Sequence, residues 1–201
     1  MKQVLVMGVG DRVGQAFFEA CQGEKNNELQ FNFIEEEGNI PAGFQNIQVV
    51  DLQDAEQLTA HLTPADILVI NVSGWDVDYV LDAVMDAIEA HRIKLEKIIF
   101  RSVAGVNAEY PIKNIQTVTH DQEEFVKQQQ YAGKLVDESE IPYTILRPTN
   151  VLDSTDLSYR LVDEGTTMDS AKDVGAKAVA KVILETVKSD QYKNQSIGIC
   201  G

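Results

Sequence analysis

The sequence predicts an α/β protein with a doubly wound, mostly parallel sheet and helices on both faces. The first observation is that short apolar runs alternate with longer amphipathic segments along almost the whole chain, a pattern typical of right-handed βαβ units. The second is that the run at residues 4–7, VLVM, is unbroken, as in a parallel strand covered on both faces. No repeat or Pro/Gly-rich linker divides the 201 residues, so we expect a single domain over residues 1–201.

Strands are predicted where short apolar or alternating segments occur; these segments are residues 4–7, 29–34, 47–50, 67–72, 97–100, 143–146 and 196–200. The helices between them have recognisable starts. A helix carrying Phe17 and Phe18 follows the first strand. Asp54 is expected to cap a second helix, with Gln57 at the capping-box position. Asp76 precedes a third, whose apolar residues recur four apart.

Two further helices are predicted in the second half of the chain. One is a long polar helix over residues 119–138, and the other is opened by Ser170 and Asp173. Residues 103–117 and 149–169 have no regular pattern. Because ligand sites in such sheets lie at the carboxyl ends of the strands, we expect these two loops to line a site.

The charge balance excludes several classes of partner. The chain has 17 Lys and Arg against 32 Asp and Glu, a formal net charge of −15, which disfavours nucleic acids and anionic membranes. The two cysteines, Cys21 and Cys200, have no metal-type spacing and are typical of a reduced, cytoplasmic protein. The amino-terminal apolar run is too short for a signal peptide or a spanning helix. No metal site is expected, because the three histidines are scattered.

The first strand runs directly into a glycine-rich turn, GVGDRVG at residues 8–14. A strand, a glycine turn and a helix form the phosphate-binding element of dinucleotide-binding folds. Its spacing departs from GxGxxG, because Val13 stands where a glycine is expected. Asp11 is expected to cap the helix, where its carboxylate would compete with a pyrophosphate. The candidate cofactor-binding residues here are Gly8, Gly10, Asp11, Arg12, Val13 and Gly14; the alternative is that the glycines only turn the chain.

Glu35 follows Gly14 by twenty-one positions and ends the second predicted strand. An acidic residue at about this distance binds the adenosine ribose in dinucleotide folds. Two more carboxylates follow, Glu36 and Glu37, and would oppose a 2′-phosphate. NAD is therefore favoured over NADP. The alternative is a solvated acidic turn that ends at Gly38.

Further segments carry a family resemblance: VDLQD at 50–54, DILVI at 66–70 with NVSG at 71–74, IPYTILRP at 141–148, and Asp173-Val174. With the glycine turn, they resemble the atypical short-chain dehydrogenase/reductases of the NmrA-like, NAD(P)H-binding kind over nearly the whole chain. The resemblance implies a Rossmann-type sheet with NAD or NADP across the strand ends. It also implies further cofactor-binding residues, which are Asp51 and Leu52 by the adenine, Gly74 by the adenosine ribose, and Arg147, Pro148 and Thr149 near the nicotinamide. Val72 and Ser73, in the segment that leads to Gly74, are also cofactor-binding candidates.

In active members of that family, a Ser and a Tyr-x-x-x-Lys pair perform the proton transfer. Ser102 matches the serine, but Phe125 and Gln129 stand near the Tyr and Lys positions. The shifted pair Tyr131 and Lys134 is the remaining catalytic candidate, and its alternative is a solvated surface pair.

Three functions are therefore compatible with the sequence. The first is an oxidoreductase that transfers hydride between nicotinamide and a small carbonyl or quinone-like substrate. The second is a catalytically silent dinucleotide-sensing or interaction module, whose partner would be a regulatory protein. The third is a fold that no longer binds nucleotide. None of the three involves nucleic acid or a membrane.

Overall fold

A central parallel sheet organises the computed structural model, which describes residues 1–24, 28–118 and 120–201. In chain order, the elements are β1 Lys2–Met7, α1 Arg12–Gln22, β2 Leu29–Glu35, β3 Ile47–Val49, α2 Ala55–Leu62, β4 Ile67–Ile70, α3 Val77–His91, β5 Lys97–Arg101, a 3₁₀ turn Ile112–Asn114, α4 Gln122–Glu138, β6 Tyr143–Pro148, β7 Val151–Leu152, β8 Arg160–Val162, β9 Val174–Gly175, α5 Ala176–Lys188 and β10 Gln195–Cys200. The predicted fold class is confirmed.

The order of the eight strands is β3-β2-β1-β4-β5-β6-β10-β8. Every neighbouring pair is parallel except β10 with the edge strand β8. The order reverses between β1 and β4, where successive connections leave in opposite directions. In open α/β sheets, this switch point is where a crevice forms at the carboxyl ends of the strands.

Two apolar layers cover the sheet. On one face, residues of β1, β4 and β5 pack against α2, α3 and α4, as Leu68, Leu81 and Val136 do. On the other face, alternate strand residues pack against α1 and α5, as Val69 and Phe17 do. A third cluster, which includes Val103, Ile115, Phe125 and Met168, lies under the long loops. Within the described residues, no helix is both long and apolar enough to span a bilayer.

The predicted cap of α2 is confirmed, because the Asp54 carboxylate accepts hydrogen bonds from the Glu56 and Gln57 amides at 2.9 and 3.1 Å. The predicted start of the last helix is wrong. Val174–Gly175 pairs with β7 in a separate two-stranded sheet, so α5 begins only at Ala176.

The Asp173 side chain, expected to open that helix, instead accepts a hydrogen bond from the Asn150 amide at 3.0 Å. The long polar helix begins at Gln122, with Asp121 accepting from the Glu124 amide. Thr119, where it was expected to start, lies outside the described residues. The two loops predicted as irregular contain the 3₁₀ turn, β7 and β8.

Candidate functional site

Two adjoining cavities open at the switch point between β1 and β4. The first, called here the turn cavity, has a volume of about 400 Å³ and is lined by Gly8, Gly10, Asp11, Glu35, Gly38, Asn39, Asn71, Val72 and Ser73. The second, called here the Arg101 cavity, has a volume of about 580 Å³ and is lined by Asp11, Arg12, Val13, Gln15, Ser73, Arg101, Val103, Ile115, Gln116, Thr117, Pro148, Thr149, Asn150 and Val151. Because they share Asp11 and Ser73, the two cavities form one groove. Their volumes fall in the range of small-molecule sites.

The glycine-rich turn is shaped by two close approaches of the backbone. Gly8 has φ +95°, and a Cβ there would lie 2.8 Å from the Val72 amide nitrogen. A Cβ on Gly14 would lie 2.6 Å from the Val9 Cα, inside any allowed contact. The first glycine therefore makes the bend, and the last lets α1 pack closely on β1, as in dinucleotide-binding turns.

The buried Glu35 carboxylate accepts hydrogen bonds from the turn itself. Its Oε2 is 2.6 Å from the Val9 amide nitrogen and 2.8 Å from that of Gly10, and its Oε1 accepts from the Glu36 amide. Glu35 is only 4% exposed, yet it lines the turn cavity. The acidic residue predicted at the ribose position thus faces the groove, with its charge stabilised by backbone amides.

Glu36 and Asp51 add negative charge near Glu35. Burial first, and then the charges of Glu35 and Asp51, raise the pKa of Glu36 above its ordinary value. Among the residues that the structure describes, no lysine or arginine lines the turn cavity. This end of the groove is therefore a poor environment for a phosphate group.

Asp11 and Arg101 form an ion pair at the junction of the two cavities. The Asp11 carboxylate caps α1 by accepting from the Gly14 amide at 2.8 Å, which confirms the predicted cap. Its other oxygen is 2.6 Å from Nη2 of Arg101. Arg101 also donates from Nε to Oδ1 of Asn71 at 2.5 Å and from Nη2 to the Asn71 carbonyl. Sequence reasoning missed Arg101, although a charge that ends the apolar strand KIIFR was a usable signal.

Some of the other predicted cofactor residues line the groove, and some do not. The Arg101 cavity includes Arg12, Val13, Ser73, Pro148 and Thr149, and Val72 lines the turn cavity.

Asp51, Leu52 and Gly74 line neither cavity, and neither does Gly14 of the turn. Leu52 is 1% exposed in the core, and the exposed Asp51 accepts from the Gln53 amide. The Gly74 carbonyl accepts from Nε2 of Gln129 at 2.7 Å.

Arg147 is not in the groove, contrary to the expectation. Its side chain lies on the opposite face of the sheet, where Nε donates to Oγ of Ser196 at 2.8 Å and Nη1 pairs with Glu109. Burial lowers the pKa of Arg147. It lines a third cavity of about 320 Å³, called here the Ser102 cavity, together with Ser102, Gln129 and Lys134.

The catalytic candidates are only partly brought together. Oγ of Ser102 donates to Oε1 of Gln129 at 2.8 Å. Lys134 reaches the same cavity but pairs loosely with Glu138 at 3.7 Å. Tyr131 is exposed, does not line that cavity, and donates to Asp82, whose charge raises the pKa of the phenol.

Phe125, at the position where the family's tyrosine is expected, is fully buried and packs edge-to-face on Trp75. Trp75 does not line the Arg101 cavity. Ser102, Gln129 and the Gly74 carbonyl thus form a hydrogen-bonded chain in place of a Ser–Tyr–Lys constellation.

The residues of the groove fit a nicotinamide dinucleotide. The groove consists of two adjoining cavities, and residues of the glycine turn at the start of α1 line it. Arg12 and Val13 begin α1, so their backbone N–H groups have no acceptor within the helix and are the kind of donor that binds a phosphate at a helix start. Pro148 and Thr149 line the far end.

Comparisons with known proteins agree with this geometry. A family model described as NAD(P)H-binding matches residues 35–190. No curated protein matches the chain. A short-chain dehydrogenase/reductase from Veillonella parvula, solved in complex with NADP, is 19% identical with a TM-score of 0.79, covering 100% of this chain and 94% of that one.

Two other solved structures are similar over a comparable length. A Rossmann-fold NAD(P)-binding family protein from Shigella flexneri is 22% identical with a TM-score of 0.75, covering 99% of this chain and 93% of that one. ChuY from Escherichia coli O157:H7, an anaerobillin reductase, is 18% identical with a TM-score of 0.74, covering 99% and 97% of the two chains. At these identities, the likeness shows the shared Rossmann fold.

Proposed function

This chain belongs to the NAD(P)H-binding family, and we propose that it is an oxidoreductase that uses NADH to reduce a small quinone-like or carbonyl substrate. The observation that carries the proposal is the groove itself. It begins at a glycine turn beside a buried acidic residue and ends in a cavity walled by Val103, Ile115 and Pro148. A reduced nicotinamide, when bound, supplies a hydride. The chain's own contribution is to align cofactor and substrate in that cavity.

The choice of NADH rests on charge at the turn cavity. Glu35 lines it, and Glu36 and Asp51 lie close enough to each other to interact electrostatically. No basic residue lines it within the described part of the chain. A ribose 2′-hydroxyl can donate to a carboxylate, whereas a 2′-phosphate would be repelled by it. This arrangement supports NAD over NADP.

The choice of a quinone-like acceptor rests on the missing proton donor. Phe125 has no proton to give, and the Ser102 hydroxyl donates to Gln129. Reduction of an aldehyde produces a strongly basic alkoxide, which needs an acid beside it. Reduction of a quinone produces a phenolate, to which solvent water can deliver the proton. ChuY, the similar protein from Escherichia coli, is also described as a reductase.

Calorimetric titration with NADH and NADPH tests the cofactor assignment. We expect NADH to bind at least about tenfold more tightly than NADPH. Repulsion between the 2′-phosphate and the carboxylates of a partly buried site should cost about 1.4 kcal/mol or more of binding free energy. Glu36→Gln removes one of these charges and should narrow the ratio of the NADPH and NADH dissociation constants to a few-fold. The Glu36 side chain does not hold the glycine turn, so the shape of the turn should be unchanged. The matched control is Glu37→Gln. Although the sequence pattern groups Glu37 with Glu36, its side chain is exposed and lines neither cavity, so the change should leave the ratio unchanged. A tenfold preference for NADPH would contradict the assignment.

NADH consumption with a panel of quinones and aldehydes tests the reaction. Turnover with quinones, and much slower turnover with aldehydes, is the expected result. Tight NADH binding without turnover on either panel would instead indicate the silent, dinucleotide-sensing module.

A further inference from the structure

Arg101 is a buried cation with donors to spare. Its side chain is 6% exposed, and its guanidinium has five N–H donors. Three of them are used: Nε–H bonds Asn71, and the two hydrogens of Nη2 bond Asn71 and Asp11. Within residues 1–24, 28–118 and 120–201, Nη1 has no protein partner, and Arg101 lines the cavity of about 580 Å³.

The Arg101 cavity lacks the negative charge of the chain as a whole. Among the described residues, its charged lining consists of Arg12, Asp11 and Arg101 itself, two positive charges against one negative in a protein of net charge −15. Asn71 holds the guanidinium rigidly, because its own amide donates to the Gly8 carbonyl at 3.2 Å. An arginine fixed in this way is suited to phosphate oxygens, which match its planar donors.

Asp11 occupies the position that an anionic ligand would take. Its carboxylate accepts hydrogen bonds from the backbone amide of Gly14 in α1 and from Nη2 of Arg101. Backbone amides and arginine side chains are the two kinds of donor that bind a phosphate at a helix start. Unlike Arg101, the Asp11 side chain is 47% exposed, so it can turn away to water at little cost. The carboxylate is therefore an internal and displaceable counter-ion.

We propose that Arg101 binds the pyrophosphate of the dinucleotide, and that Asp11 holds Arg101 in place until the ligand's phosphate replaces the Asp11 carboxylate. This inference rests on the proposed function, since it concerns the same groove. It adds a residue that the glycine motif does not contain. It also makes the chain's affinity for dinucleotides depend on an exchange of one anion for another.

Calorimetric binding of ADP-ribose tests the exchange without any turnover. ADP-ribose carries the pyrophosphate but no nicotinamide. Arg101→Gln should weaken its binding about tenfold to a hundredfold, as expected when a charged hydrogen bond is lost. Asp11→Asn keeps a capping side chain but removes the competing charge, so it should tighten binding about fivefold. Arg160→Gln, an exposed change on β8, is the matched control for lost positive charge and should have no effect.

A second set of variants keeps the test valid if Arg101→Gln does not fold. The double variant Asp11→Asn Arg101→Gln removes both charges and should bind ADP-ribose at least about tenfold more weakly than Asp11→Asn alone. Arg101→Lys, which keeps the charge but loses the planar donors, should fall between the wild type and Arg101→Gln.

The outcomes separate this inference from the proposed function. Failure of the wild type to bind either NADH or ADP-ribose would overturn both. Binding of NADH and ADP-ribose that is unaffected by Arg101→Gln would overturn the role of Arg101 and leave the proposed function intact. Weaker NADH binding with unchanged ADP-ribose binding would place Arg101 at the nicotinamide or substrate, and would also overturn the exchange.

Discussion

Two buried arginines stand at the ends of neighbouring strands, and they have opposite surroundings. Arg101 ends β5 and faces the groove with α1, whereas Arg147 lies near the end of β6 and faces α4. Arg147 is paired with Glu109, which is itself 6% exposed, and also bonds Ser196. Arg101 is paired with Asp11, which is 47% exposed. Both arginines are buried, and they differ in how far solvent reaches the carboxylate of the partner; we expect this difference to separate a structural ion pair from one that a ligand can displace.

We call Arg147 with Glu109 the closed pair, because both side chains are buried, and Arg101 with Asp11 the open pair, because Asp11 is exposed. The largest effect on stability is expected at the closed pair. Glu109→Ala leaves the Arg147 guanidinium buried without its counter-charge, which typically costs about 3–5 kcal/mol. Urea denaturation measures the free energy of unfolding directly. A loss below about 1 kcal/mol would show that Arg147 is as open to solvent as a surface residue.

A smaller effect is expected from the other partner of Arg147. Ser196→Ala removes the hydroxyl that accepts from Nε of Arg147 at 2.8 Å and leaves that donor buried. The expected loss is about 2 kcal/mol in the free energy of unfolding, measured by the same denaturation. Ser158→Ala, at an exposed position, is the control and should change stability by less than about 0.5 kcal/mol.

At the open pair, Asp11→Ala should cost only about 1 kcal/mol, which is the usual loss of a helix cap. Solvent and ligand can reach Arg101 through the cavity, so its charge does not remain without compensation. Thermal melting with and without ADP-ribose would check this, and added ligand should restore much of the loss. A penalty as large as that of Glu109→Ala would remove the distinction between the two arginines.

The smallest effect is expected at Tyr131. Tyr131→Phe removes an exposed bond to Asp82 and should change stability by less than about 0.5 kcal/mol. NADH affinity and turnover should also be unchanged, because Tyr131 lines none of the three cavities of the site. A tenfold fall in turnover would restore Tyr131 as a catalytic residue.

The order of strands and helices could be predicted because it depends on local patterns. The runs at Val4–Met7 and Ile67–Ile70 are apolar on both faces. The cap of α2 is also local, because Asp54 binds the backbone amide of Gln57, only three positions away. The start of α5 could not be predicted in this way. Asp173 is a good cap by sequence, but its carboxylate accepts a hydrogen bond from the side chain of the distant Asn150. The residue after it, Val174, pairs with Val151 in a short sheet.

The site divides along the same line. The positions of Gly8, Asp11, Gly14 and Glu35 could be predicted because β1, the turn, α1 and β2 follow one another along the chain as a single βαβ unit. The charge at the end of the strand KIIFR marks Arg101 in the sequence, but its partner could not be predicted, since Asp11 lies ninety positions away along the chain. Arg147 was misplaced for a related reason: adjacent residues of a strand point to opposite faces, and the YTILRP motif does not show which face is the groove.

Trp75 provides this chain with an internal optical probe. It is the single tryptophan, its ring stacks on His120 with 4.2 Å between centroids, and its indole N–H donates to the Thr117 carbonyl at 3.3 Å. Thr117 in turn walls the Arg101 cavity. The emission of one indole therefore reports on the loop that covers the groove, and reduced nicotinamide bound in the groove would quench that emission by energy transfer, without any label being attached.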